Sequence, residues 1–185
     1  ELKYIPSHLG RSFYQKKSFR IGMLVPFSNR TIASEYFTRI IIGVLTVVAA
    51  KNYTVNIISD DNLSAKDISY LVLSHSIDGI IFLSSGISDK RFDYLHKNKI
   101  PFILIHHYVK NKPYIYVDSS CENGYREAFE YLNGKNLQSV SFLEGDENYI
   151  DSIDRKEFFI KLAEEYKFTV VSLIKGDYSR MSGIR

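Results

Sequence analysis

The stretch "DGIIFLSS", residues 78–85, decides the fold that we predict for this chain. It is a short, nearly continuous apolar run between two segments with helical character, "LSAKDISYLVLSHS" (63–76) and "SDKRFDYLHKNK" (88–99). Such a run is typical of a strand that is buried on both faces of a parallel sheet. The flanking helical segments provide the long crossovers that parallel strands need.

The same alternation continues in both directions along the chain. Further strands are predicted at "RIGMLVP" (20–26), "YTVNIIS" (53–59), "IPFILIHH" (100–107), "YIYV" (114–117), "SVSFLEG" (139–145) and "FTVVSLIKG" (168–176). Further helices are predicted at "ASEYFTRIIIGVLTVVAAKN" (33–52), "CENGYREAFEYLNGK" (121–135) and "SIDRKEFFIKLAEEYK" (152–167). Because parallel crossovers are right-handed, the pattern predicts an α/β fold with a doubly wound parallel sheet.

The amino-acid composition limits the classes of protein to which the chain can belong. Hydrophobic residues make up 45% and charged residues 24% of the 185 residues, which is ordinary for a globular chain with a core. We find no apolar run of about 18 residues, so we predict no membrane span. The single cysteine, Cys121, cannot form a disulfide within the chain.

The basic charge is concentrated at the beginning of the chain. Residues 1–20 hold five basic residues and one acidic residue, a net charge of +4, whereas the rest holds 19 basic and 20 acidic residues. A basic terminal arm is typical of a segment that binds a polyanion such as DNA. A solvated linker would show the same charge, and charge alone leaves both interpretations open.

Polar segments follow the predicted strands. They are "FSNRTIAS" (27–34), "SDDNLS" (59–64), "SSGISD" (84–89), "HHYVKN" (106–111), "EGDENYID" (144–151) and "KGDYSRMSG" (175–183). Ligands of such sheets bind beyond the carboxyl ends of the strands, and this mixture of hydroxyl, carboxylate and aromatic groups suits a polyhydroxylated ligand. Turns and helix N-caps alone would also make these segments polar, so that alternative stays open.

Motifs of common enzymes are missing from the sequence. The glycine pattern of a dinucleotide site does not follow the first strand, and no P-loop pattern occurs. His106 and His107 are neighbours on a predicted strand and point to opposite faces, so one should face the rim while the other packs. Cys121 together with a histidine would suggest a nucleophile and its base, but nothing in the sequence supplies the third, orienting group. We therefore expect no enzymatic activity, no cofactor and no metal.

Several pieces of sequence together resemble one family. They are "IDGIIFLSS" (77–85), "IPFILIHH" (100–107), "RKEFF" (155–159) and the complete pattern GDxxxxSG at Gly176, Asp177, Ser182 and Gly183. In this order and spacing, the chain resembles the LacI (lactose-repressor) family of bacterial transcription regulators over essentially its whole length. The resemblance implies a periplasmic-binding-protein-like type I fold. We expect a fragment, with the first effector subdomain and the start of the second.

The resemblance also implies a role for the basic segment at residues 1–20. In that family the segment matching "PSHLGRSFYQ" (6–15) forms a short hinge helix in the DNA minor groove. Phe13 stands at the position of an apolar wedge, and such wedges kink a base step. The DNA-binding hinge residues implied by the resemblance are Ser7, His8, Arg11, Ser12 and Phe13. The implied division is 1–19 as hinge and linker, 20–135 as the first effector subdomain, and 136–185 as the beginning of the second.

Effector contacts are carried over from the family residue by residue. Arg155 matches an arginine that grips the effector, and Tyr178 matches an aromatic that stacks on it. The complete set implied by the resemblance is Phe37, Asp60, Ser84, Ser85, His107, Tyr149, Asp151, Arg155 and Tyr178. His106-His107 replaces the family's usual Asp-Arg, so the effector's identity stays open: a sugar is the commonest choice, with a nucleobase or a phosphorylated effector as alternatives.

We therefore predict the effector-binding core of a dimeric, cytoplasmic, sugar-responsive regulator whose full-length form binds operator DNA. Its partners would be a small-molecule effector, operator DNA and a second copy of itself, without a membrane. The alternative is an exported sugar-binding protein of the same fold. That alternative leaves the basic segment Tyr4–Gln15 unexplained.

Overall fold

The computed structural model describes residues 17–26, 35–178 and 181–184, and these residues form two compact units. The first unit contains the described residues up to Ser84, together with Asp89–Ile105 and Pro113–Ile115. The second unit contains Ser85–Ser88, His106–Lys112 and the described residues from Tyr116 onward. The predicted DNA-binding hinge residues, which are Ser7, His8, Arg11, Ser12 and Phe13, lie outside the described residues.

The first unit is built on a parallel sheet. Its strands are β1 (Arg20–Val25), β2 (Thr54–Ser59), β3 (Gly79–Leu83) and β4 (Phe102–Ile105), in the spatial order β2-β1-β3-β4. The register places Met23 opposite Ile57 on one side and opposite Ile81 on the other. The apolar runs therefore form the strands of a parallel sheet, as predicted for an α/β fold.

Three helices connect these strands: α1 (Glu35–Ala50), α2 (Ala65–Leu73) and α3 (Arg91–Lys97). Helix α2 begins at a capping box, in which Ser64 Oγ accepts from the Asp67 amide and the Asp67 carboxylate accepts from the Ser64 amide. One side of α1 packs on a core cluster of Met23, Val25 and Leu83. None of the helices formed by the described residues is long and apolar enough to span a bilayer.

The second unit contains β5 (Tyr116–Val117), α4 (Glu122–Gly134), β6 (Ser139–Leu143), α5 (Ile150–Glu165) and β7 (Thr169–Ile174). Strands β6 and β7 pair in parallel, with Ser139 opposite Thr169. Phe129, Phe159, Leu162, Ala163 and Phe168 form the core cluster of this unit. The rings of Phe142 and Phe159 stack with their centroids 4.6 Å apart, so α5 is fixed against β6.

Helix α4 belongs with the later elements. Phe129 of α4 packs against Phe159 of α5, with 5.4 Å between the ring centroids, and this shared core puts α4 in the second unit. The sequence-based division placed 20–135, and so α4, in the first subdomain. The division of the complete chain into hinge and two subdomains stays a prediction.

Candidate functional site

A cavity of about 350 Å³ lies within the second unit. One wall comes from the segments around β5 and the start of α4: His106, Tyr108, Tyr116, Asp118, Ser119, Ser120 and Cys121. The other wall is a face of α5: Asp151, Asp154, Arg155 and Phe158. The volume lies at the small end of the range for small-molecule sites, about 300–1,000 Å³, and suits a compact ligand.

The spacing of residues along α5 explains why this helix can line a cavity. The lining residues recur at intervals of three and four, which places them on one face of a helix. The residues buried in the core of the unit, Phe159, Leu162 and Ala163, occupy another face. Packing of that apolar face therefore presents the polar one to the cavity.

Arg155 connects the cavity to the segment after β7. Its Nη2 lies 3.3 Å from Asp151 Oδ2, and its Nη1 donates to the hydroxyl of Tyr178 at 3.1 Å. The guanidinium carbon lies 5.6 Å from the centroid of the Tyr178 ring, within the range of a cation–π contact. Burial lowers the pKa of Arg155, but Tyr178 and Asp151 outweigh it and raise that pKa, so Arg155 is a permanent cation.

Tyr178 lies in a conformation that is rare for a side chain of its size. Its φ is 62°, in the left-handed region, and its hydroxyl is 2.7 Å from Ser152 Oγ. The ring occupies space beside Gly145, where an added Cβ would stand 2.1 Å from the ring's Cζ. Gly145 therefore allows this position of the ring. A strained backbone of this kind is often found at functional sites.

A histidine and a carboxylate meet on the opposite wall. His106 Nδ1 lies 3.2 Å from Asp118 Oδ1, and the His106 amide donates to the Val117 carbonyl at 3.0 Å. The backbone of His106 has a φ of 57°, so regular strand geometry ends at Ile105.

A tyrosine and an aspartate form the third polar pair of the cavity. The hydroxyl of Tyr108 donates to Asp154 Oδ1 at 3.1 Å. Burial, followed by the hydrogen bond to Asp154, raises the pKa of Tyr108 to about 12. Burial and the neighbouring carboxylates of Glu157, Asp118 and Asp151 raise the pKa of Asp154, although the bond from Tyr108 opposes this. The ring of Tyr116 lies 5.9 Å from that of Tyr108 and extends the aromatic surface.

The structure brings together the predicted site residues Asp151, Arg155 and Tyr178. Asp151 and Arg155 line the cavity, and Tyr178 contacts Arg155. Tyr149 is the N-cap residue of α5 and precedes Arg155 by six residues. Ser85 and His107 also belong to the second unit but are buried, with exposures of 3% and 1%, and they do not line the cavity.

The other predicted residues lie in the first unit. Phe37 packs against the cluster around Met23, and Ser84 has a φ of 61° at the end of β3. Asp60 forms an ion pair with Arg91, whose Nη2 lies 3.0 Å from Asp60 Oδ2. The structure thus accounts for the Asp60 carboxylate without a ligand, and the effector contact proposed for it stays a prediction.

Several lining residues were absent from the predicted set. The helix period would have revealed Asp154 and Phe158, because they lie three and seven residues after Asp151. His106 lines the cavity where the prediction chose His107, and the expectation that one histidine of the pair faces the rim while the other packs is confirmed. Tyr108 lies in one of the polar segments that follow the predicted strands, whereas Tyr116 and Asp118 carried no sequence signal that would place them at this wall. Among the described residues, no group of three or more His, Cys, Asp and Glu is arranged to hold a metal ion.

Known proteins share both the sequence and the fold. The chain is 30% identical to the ribose operon repressor of Halalkalibacterium halodurans over 167 residues. This match covers 89% of this chain and 48% of the repressor. The crystal structure of a LacI-family regulatory protein from Chloroflexus aggregans matches with a TM-score of 0.78 and 21% identity, over 89% of this chain and 60% of that one. In sequence and in fold, the chain is similar to regulators of the LacI family. No family model matches it.

A further structural neighbour was solved with a ligand. The complex of the transcriptional regulator CelR with cellobiose matches with a TM-score of 0.75 and 14% identity, over 100% of this chain and 61% of that one. Such neighbours confirm the predicted periplasmic-binding-protein-like fold with a parallel sheet. The chain spans about half the length of the curated relatives of the LacI family that it matches.

Proposed function

We propose that this chain is the effector-binding part of a sugar-responsive, DNA-binding transcription regulator of the LacI type. The observation that carries the proposal is the cavity of about 350 Å³ in which Arg155 is held between Asp151 and Tyr178. A guanidinium group, carboxylates and hydroxyls in one cavity offer both donors and acceptors to the hydroxyls of a sugar. The rings of Tyr108, Tyr116 and Phe158 offer flat apolar surface to a sugar face.

The relatives support a regulator over an exported sugar-binding protein. The ribose operon repressor and the probable repressor ExuR of Bacillus subtilis, which is 24% identical over 188 residues, are both transcription regulators by name. In such a protein the effector changes DNA affinity only to the extent that it binds two conformations unequally. The basic residues before Arg20 would then contact DNA phosphates.

A homodimer is the assembly we propose. Helix α1 exposes large apolar side chains, with Ile42 at 56% and Val47 at 59% exposure, and no residue of α1 is fully buried. Ile57 on the neighbouring strand β2 is 50% exposed as well. An apolar face of this kind fits a second copy of the chain, because a palindromic operator requires a two-fold symmetric protein.

Titration calorimetry with a panel of neutral sugars tests the effector-binding part of the proposal. For the sugar that binds, Arg155→Ala should weaken the binding free energy by about 1.5–3 kcal/mol, which is the usual contribution of a hydrogen bond to a charged group. Arg126→Ala is a matched control in the same unit, because Arg126 pairs with Glu165 on the surface and does not line the cavity. Equal losses of sugar affinity in both variants, or no loss of affinity in Arg155→Ala, would mean that the sugar binds outside this cavity.

Gel-shift titration with the protein encoded by the complete gene tests the DNA-binding part. Phe13→Ala should weaken binding to the DNA upstream of its operon and leave sugar affinity unchanged, because the wedge and the cavity are separate features. DNA affinity that does not respond to this substitution would contradict the hinge assignment.

A further inference from the structure

The charges around the cavity of the second unit are unequally divided. Asp118, Asp151 and Asp154 contribute three carboxylates to its lining, whereas Arg155 is the one permanent cation among the lining residues of the described chain. His106 adds a positive charge only when it is protonated. With a neutral histidine, the lining therefore carries two more negative charges than positive ones.

Both basic groups already have carboxylate partners. Arg155 pairs with Asp151 at 3.3 Å, and His106 lies 3.2 Å from Asp118. The remaining carboxylate, Asp154, accepts a hydrogen bond from the hydroxyl of Tyr108. Over residues 17–26, 35–178 and 181–184, no Lys, Arg or His forms an ion pair with Asp154.

The surroundings of Asp154 favour a cation from outside. Burial and the charges of Glu157, Asp118 and Asp151 raise the pKa of this carboxyl, which means that its charge is poorly compensated by the protein. The rings of Tyr108, Tyr116 and Phe158 line the same cavity. Aromatic faces next to a carboxylate are a suitable environment for an ammonium group. An anionic group brought into the cavity would instead face three carboxylates.

We propose that this cavity selects its ligand by charge: it binds a polyhydroxylated ligand that carries a protonated amino group, such as an amino sugar, and discriminates against phosphorylated and carboxylated sugars. The ammonium group binds at Asp154, which is the specificity-determining residue. This inference rests on the proposed function, because it names the chemical class of the effector for the same cavity. It decides against the phosphorylated effector that the sequence alone left open.

Calorimetric titration with matched sugars tests the proposal. The probes are glucose, galactose and mannose, each as the neutral sugar, the 2-amino-2-deoxy sugar and the 6-phosphate, added at pH 7 to the chain. For the sugar whose stereochemistry fits, the amino form should bind about tenfold or more tightly than the neutral form, because a hydrogen bond to a charged group is of that strength. The phosphate should bind more weakly than the neutral form.

Asp154→Asn should remove the preference for the amino form over the neutral form, because the amide carries no charge while its oxygen still accepts from Tyr108. Glu164→Gln, a charge-neutralising change at an exposed position of the same helix, should leave the preference intact. The order of affinities of the unaltered chain for the neutral, amino and phosphorylated forms tests the proposal even if Asp154→Asn folds poorly.

Three outcomes would overturn the proposal in different ways. A phosphate that binds as tightly as the neutral sugar, or an amino form with no advantage, refutes charge selection and leaves the sugar-responsive function standing. A preference that survives in Asp154→Asn refutes the role of that residue. If no sugar of the panel binds, the sugar-responsive function fails and this inference fails with it.

Discussion

The carboxylate of Asp78 accepts two hydrogen bonds from Ser18, one from the backbone amide at 2.6 Å and one from the hydroxyl at 2.8 Å. The Phe19 amide donates to the other carboxylate oxygen at 2.9 Å. Asp78 directly precedes β3, and Ser18 lies two residues before β1. The side chain of Asp78 thus links the segment that precedes β1 to the start of β3, a central strand of the sheet.

Removal of the Asp78 carboxylate should destabilise the first unit in a pH-dependent way. Burial raises the pKa of Asp78, but the bonds from Ser18, Phe19 and Tyr53 outweigh it and lower that pKa below its usual value. A carboxyl with a depressed pKa contributes stability above its unfolded pKa of about 3.9, and this contribution is lost as the pH falls through the lower, folded value. Because the group is partly exposed, Asp78→Ala should cost about 1–2 kcal/mol at pH 6.

Urea unfolding followed by circular dichroism at pH 6 and at pH 3 measures this difference. Glu127→Ala, at an exposed position of α4, is the control and should show no such difference. A gap between Asp78→Ala and the unaltered chain that stays constant as the pH falls would contradict the charged hydrogen bonds described here.

The thiol of Cys121 should report on occupancy of the cavity. It is the one cysteine of the chain and lines the cavity, so a thiol reagent labels a single known place. Burial raises the pKa of Cys121 above its usual value, with Arg155 opposing, and the reactive thiolate is therefore scarce at pH 7.5. We expect slower alkylation by iodoacetamide than for a cysteine in a short peptide, and a further decrease when a bound sugar covers the thiol.

Mass spectrometry of the alkylated chain over time gives both rates. The rate should rise as the pH increases toward the raised pKa, because the thiolate fraction increases. Alkylation at the peptide rate would show that Cys121 is accessible, and a rate that a saturating ligand does not change would place that ligand elsewhere.

Gly145 and Tyr178 should behave as an energetically coupled pair. Gly145→Ala puts a methyl group where the Tyr178 ring lies, so either the ring or the backbone must move. Overpacking of this kind costs about 1–3 kcal/mol, and the displaced ring also loses its contact with Arg155. Tyr178→Ala makes room, so the double variant should be more stable than the sum of the two single changes implies.

Urea unfolding of the four proteins in this double-mutant cycle measures the coupling. Gly134→Ala is the glycine control, because nothing lies within 4 Å of the added Cβ there. Additive effects of the changes at 145 and 178 would show that the ring does not need the space beside Gly145.

A charge on the exposed face of α1 should dissociate the proposed homodimer. Ile42→Glu would bury a carboxylate in an apolar contact, and we expect the dimer dissociation constant to rise at least about tenfold. Leu73→Glu changes a still more exposed apolar side chain on α2 and should leave the assembly intact. Sedimentation velocity over a range of concentrations measures both, and a monomer in the unaltered protein would refute the dimer.

The sequence predicts the fold well because its signals are local. Strands β1 and β3 are nearly uninterrupted apolar runs, and the structure confirms them as central strands of a parallel sheet. Helix α5 begins at Ile150, two residues before its predicted start, and the backbone of Tyr149 at the N-cap position is still extended. Helix ends depend on such backbone details, which apolar periodicity does not encode.

The site was predicted less completely because it depends on contacts between distant parts of the chain. Arg155 and Tyr178 were found through the family motifs, and the structure brings them into contact. Which histidine of the pair faces the cavity depends on the left-handed backbone at His106, where strand alternation ends. The pairing of Asp60 with Arg91 joins residues 31 positions apart, and no periodic pattern predicts it.

The two faces of α5 have a consequence for how ligand preference can change in evolution. Residues 151, 154, 155 and 158 line the cavity, and none of them belongs to the core cluster formed by Phe159, Leu162 and their neighbours. Selection can therefore replace the lining residues one at a time while the protein keeps folding. Related proteins could in this way acquire new ligands on an unchanged scaffold, and a combinatorial library at these four positions would be the direct way to engineer a sensor for a chosen compound.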